Sequence, residues 1–122
     1  MASTQDKDET HDTGGDIEVR RKRAEIERLI EAALRPLASA PNDEATWATA
    51  VTAVTSVLEG LWAKGEIAGA TPAEAFTVVC GLGSTMTAQD FLEGCMIVQI
   101  TLTMLRPAEF IELTIKQHMQ GR

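Results

Sequence analysis

From Met96 to Met104 every second residue is apolar. Met96, Val98, Ile100, Leu102 and Met104 share one side, and Gln99, Thr101 and Thr103 share the other. The same alternation returns downstream, with Ile111, Leu113 and Ile115 set against Glu112, Thr114 and Lys116. A period of two marks a strand with one buried face. The stretch from Gly94 to Gln117 therefore predicts two long strands joined through Arg106 and Pro107. Proline lacks a backbone donor, so Pro107 belongs at a strand start or an edge. A strand at the end of the chain has an edge to satisfy, and an edge can recruit another chain.

Upstream the period changes. Ile26, Leu29, Ile30, Ala33, Leu34 and Leu37 recur at intervals of three and four, which predicts an amphipathic helix ended or kinked by Pro36. Ile17 and Val19, ahead of it, are read as extended. Trp47, Ala50, Val51, Val54, Leu58, Leu61 and Trp62 mark one face of a second helix. Asn42 is its candidate N-cap, with acids in its first turn, and Gly65 lies just past its end. Its β-branched residues Val51, Thr52, Val54, Thr55 and Val57 lower helix propensity, so packing has to carry it. Thr71 as N-cap, Pro72 at N1 and Glu74 at N3 predict a capping box around a single turn, followed by a strand from Ala75 to Cys80. A second such turn starts at Thr87, and Gly94 releases the chain into the strand pair. The pattern predicts an α+β fold, with two main helices on a small, mostly antiparallel sheet and a long carboxy-terminal strand pair. Residues 16–119 form the domain.

Composition narrows the functions. The chain has 122 residues and a net charge of −7, which fits one domain and argues against a nucleic-acid partner, whose phosphates call for a basic surface. Residues 1–15 are polar and acidic and read as a disordered tail; they lack the order of a signal peptide. No apolar run approaches the roughly 20 residues that span a bilayer, so synthesis in the cytoplasm is expected. Cys80 and Cys95 are expected as reduced, buried thiols.

No catalytic, metal or cofactor constellation is expected. His11 and His118 lie far apart in sequence. Gly81-Leu82-Gly83 lacks the third glycine of a dinucleotide loop. Glu109 and Glu112 project to opposite faces of a strand and make a poor acid–base pair. Two stretches are candidates for partner contact. One is the basic cluster Arg20, Arg21, Lys22 and Arg23. The other is the last strand, Glu109, Phe110, Ile111, Glu112, Leu113, Thr114, Ile115 and Lys116.

The punctuation marks form a recognisable series. It runs from Asn42-Asp43 with Trp47, through Leu61-Trp62 and Gly65, to Gly69-Ala70-Thr71-Pro72-Ala73-Glu74-Ala75-Phe76. Thr85-Met86-Thr87 and Gly94 follow, then Arg106-Pro107-Ala108-Glu109-Phe110-Ile111. In this order the series resembles the carboxy-terminal domain of phage-type contractile tail sheath proteins, found in phage tails, R-type bacteriocins and extracellular contractile injection systems. The resemblance spans Asp16 to Gln117, and Arg20 and Arg21 match the family's paired arginines before its first helix. It implies a structural role, with the terminal strand shared between subunits and the domain touching the tail tube. The implied partners are other sheath subunits and tail tube or baseplate proteins, within an assembled particle. The family's longer members carry an amino-terminal half that supplies further strands. A unit without it would cap or regulate a lattice instead of propagating it, which is the alternative reading.

Overall fold

A computed structural model of the chain describes residues 14–104 and 109–121. The acidic tail, apart from Gly14 and Gly15, and the Arg106-Pro107-Ala108 corner lie outside the described residues. Helix α1 spans Gly14–Leu34, a 3₁₀ turn follows at Arg35–Ser39, and α2 spans Glu44–Ala63. Short helix α3 (Pro72–Ala75) leads into β1 (Phe76–Cys80), and α4 (Ala88–Leu92) into β2 (Cys95–Met104) and β3 (Glu109–His118).

The α+β expectation holds, and three local readings change. Ile17 and Val19 are helical, inside α1. Two β-branched residues are outweighed by the Arg, Lys, Glu, Ala and Leu that follow, and Glu18 near the amino end suits the helix dipole. The cap of α2 is Asp43, whose side chain accepts from Thr46 N, and not Asn42. Thr71 caps α3 by accepting from Glu74 N, whereas the reciprocal capping box is complete at Thr87 and Asp90.

Asn42 has a different job. Its Oδ1 accepts from the Trp47 indole N–H at 2.7 Å, and its Nδ2 donates to Cys95 O at 3.1 Å. It therefore ties the start of α2 to the start of β2. Replacing Asn42 with Leu leaves an indole donor and a carbonyl unpaired at a half-buried site. The expected loss is about 2 kcal/mol, read as a lower urea midpoint at unchanged slope.

The sheet is antiparallel throughout, in the order β1-β2-β3. Its core face carries Phe76 and Val78 from β1, the even-numbered apolar residues of β2, and Ile111, Leu113 and Ile115 from β3. Ile26, Ile30 and Leu34 of α1 and Trp47, Ala50, Val54, Leu58 and Leu61 of α2 close over that face. Helix α2 lies against β1 and reaches β2, and α1 lies against β3. The chain's end is clasped to the 3₁₀ turn. Gln117 Nε2 donates to Leu34 O at 2.8 Å and Gln120 N to Ala38 O at 2.6 Å. Between α2 and α3 the chain passes Gly69, whose φ of 145° suits glycine, and a Cβ there would stand 2.7 Å from Ala75.

Candidate functional site

The last strand is an edge of the sheet. Which of its backbone groups face outward follows from the ladder. Met119 N donates to Gly94 O at 2.7 Å, one residue beyond the Cys95–His118 pair. Hydrogen-bonded and non-bonded pairs alternate in an antiparallel ladder, so Ile111, Leu113, Ile115 and Gln117 spend their N–H and C=O groups on β2. Phe110, Glu112, Thr114 and Lys116 turn theirs away from it, to the open side. The same four residues are exposed and project from the sheet face opposite the helices. Phe110 is 65% exposed, a large apolar side chain without a cover among the described residues. On that outer face Thr114 Oγ1 donates to Gln99 Oε1 at 3.0 Å, and the hydroxyls of Thr77 and Thr101 share a short hydrogen bond.

Helix α1 forms a roof over this edge. Side-by-side helices need about 10 Å each, and three strands span about 14 Å. By these widths a pair of helices is about 6 Å wider than three strands. Arg23 reaches down from α1, and its Nη2 donates to Glu112 O at 2.9 Å. That carbonyl belongs to the outward set, so the guanidinium sits on the open edge itself.

The basic cluster is thereby divided. Lys22 Nζ donates to Glu66 Oε1 at 2.8 Å and lies 3.5 Å from Glu25. The hydrogen bond to Glu66 is the main reason its ammonium titrates above the ordinary lysine value, and the same bond holds the Glu66 carboxyl below its ordinary value. The sign is stabilising on both flanks. The carboxylate's share fades as pH falls through the acidic range, and the ammonium's as pH rises past the lysine range. Arg20 is also engaged within the chain. Arg21 is exposed. Sequence spacing could not have shown this division, because Glu66 and Glu112 lie 44 and 89 residues from their partners. Arg21→Glu is expected to change stability by less than about 0.5 kcal/mol. Lys22→Glu sets a third carboxylate beside Glu66 and Glu25 and should cost about 1 kcal/mol, the gap between the two narrowing in high salt.

A second feature is an open hollow of about 700 Å³ at the other end, lined by residues that include Asp43, Trp47, Cys80, Leu82 and Phe91. Trp47 and Phe91 meet edge to face there, with ring centroids 6.2 Å apart. Burial pushes the Cys80 thiol up to about 11, so very little thiolate exists at neutral pH. Cys80 pairs with Val98, which pairs with Ile115. His118 is therefore two strands and three residues away, on the opposite face, and the two cannot act together. Iodoacetamide at pH 7.5 should label both cysteines slowly in the native protein and rapidly in denaturant. Cys95 is buried as expected, but Cys80 is only half-buried at the hollow, so fast native labelling of Cys80 would contradict its raised thiol pKa.

The domain defined by this fold is a two-helix roof on a three-stranded sheet, with no strand on the outer edge of β3 among the described residues. That domain occurs in contractile injection systems. A chain of the anti-feeding prophage (AFP) baseplate superposes with a TM-score of 0.69 at 42% identity, over 83% of this chain and 28% of that one. A chain of the PVC sheath complex in its contracted state, from an extracellular contractile injection system, gives 0.68 at 38% identity, over 80% and 27%. The chain therefore spans little more than a quarter of the length of the chains it matches, and is related to components of these assemblies. No family model matches the sequence, and no curated protein does.

Proposed function

We propose that the chain is a sheath-like structural component of a contractile tail or injection apparatus, which joins its neighbours by strand sharing at β3 and acts through contact, not catalysis. The observation that carries this reading is the outer edge of β3. Among the described residues no strand pairs with its outward N–H and C=O groups, and α1 lies beside it with Arg23 on Glu112 O. An added strand would complete the ladder and bury its inward side chains under the helix. The resemblance to a PVC sheath chain supports the sheath role.

The resemblance to a chain of the AFP baseplate supports a second reading, in which the protein caps or regulates sheath or baseplate without joining the contracting lattice. Copy number separates the two. The tagged protein is purified from its native cells and quantified by mass spectrometry against co-eluting tube protein. A lattice subunit approaches the tube's copy number, and a cap gives a handful per particle. An eluate without sheath, tube or baseplate proteins would overturn both.

A further inference from the structure

Arg23 occupies a group that an incoming strand needs. Glu112 O is one of the outward carbonyls on β3, and the guanidinium already fills its open side at 2.9 Å. A strand that pairs with β3 replaces that contact with a backbone N–H, and Arg23 is displaced into the space between α1 and the new strand. A cation left there is partly shielded from water and is unfavourable unless paired. Glu27, one turn along α1 and half-buried, is the nearest carboxylate by helix spacing, and such a pair within one helix is weak. The Glu112 carboxylate projects from the opposite sheet face and does not meet it.

We propose that the strand accepted by this edge carries a carboxylate on its α1-facing side, and that Arg23 selects that strand by pairing with it. This rests on the strand-sharing reading above and names the chemistry of the partner at the same edge. Arginine grips a carboxylate through two parallel N–H···O bonds, which are stronger than its single bond to a neutral carbonyl. The position of the acid is fixed by the pleat. The residue that pairs with Glu112 shares its outward face, so the residues immediately before and after it face α1. The carboxylate occupies one of those two places. Moving it by one residue carries it to the outer face, away from Arg23. The bound guanidinium also protects the free protein, because a charged side chain on an exposed edge discourages indiscriminate pairing.

The test uses ten-residue synthetic peptides of alternating valine and threonine, whose uniform pattern lets the register slide until the best match is found. In three peptides one central valine is replaced by Glu, Gln or Lys; in a fourth, Glu replaces a threonine. Each is titrated into the full chain, followed by fluorescence anisotropy. The valine-site Glu peptide is expected to bind about tenfold more tightly than the Gln peptide and the outer-face Glu peptide, with the Lys peptide weakest. Arg23→Gln should abolish the ranking, and Arg23→Glu should reverse the order of the Glu and Lys peptides. Thermal melts of both variants establish that they fold. Equal binding of all four peptides by the wild type overturns the selective role of Arg23 while leaving strand acceptance in place. No binding of any peptide overturns the reading of the edge as well.

Discussion

Leu113→Asp is expected to abolish the folded state. Leu113 is fully buried in the middle of β3, opposite Ile100 on the central strand. Truncating a buried leucine to Ala costs about 2–5 kcal/mol. Placing a carboxylate in the same apolar position adds several kcal/mol more, whether it stays charged or takes up a proton. A domain of this size has a total stability of about 5–15 kcal/mol, so the substitution removes most or all of it. Circular dichroism should show no cooperative thermal transition. Leu113→Ala provides the graded control, folded but with a lower melting temperature. A Leu113→Asp variant that melts like the parent would mean that β3 does not pack on the core.

The second large effect is on assembly. Glu112→Pro removes a backbone N–H that points away from β2, so it breaks no bond within the domain. Its ring fixes φ near −65°, some way from the usual antiparallel value, and a cost of about 1–2 kcal/mol is expected. An incoming strand loses its donor at the centre of the edge and meets the ring. Leu113→Pro, one residue along, removes an N–H that bonds to β2 and should unfold the protein. Glu112→Pro should therefore stay folded and fail to co-purify with the neighbours the parent captures. If the folded variant still captures them, strand sharing at β3 is wrong.

Much of this fold was legible because its signals are periodic. The alternation in β2 and β3 named the buried residues of both strands, and the three- and four-residue spacing named most of the core face of α1 and α2, though Leu29, counted with it, is 41% exposed. What escaped notice depended on contacts between distant segments or on choices between equals. Asn42 and Asp43 are both good caps. The choice turned on Asn42 being claimed by Trp47 and Cys95. The basic cluster looked like one patch because nothing near it in sequence shows that Lys22 meets Glu66 and Arg23 meets β3. Alternation also tells which face a side chain occupies, but not which backbone groups point to the open side. That required the register with β2, anchored by the Met119–Gly94 bond.

The register also fixes how the domain would carry load. Ten residues of β3 are matched one to one with ten of β2, and the ladder bonds run across the strand direction. A neighbour gripping β3 and pulling along its length would strain all of those bonds together, in shear, and would not peel them one at a time. The clasp of Gln117 onto the last residue of α1 and of Gln120 onto the turn after it anchors the same strand at its far end. Tension along this edge would therefore spread into the helix layer, and β3 would leave lengthwise only if its whole ladder with β2 gave way at once.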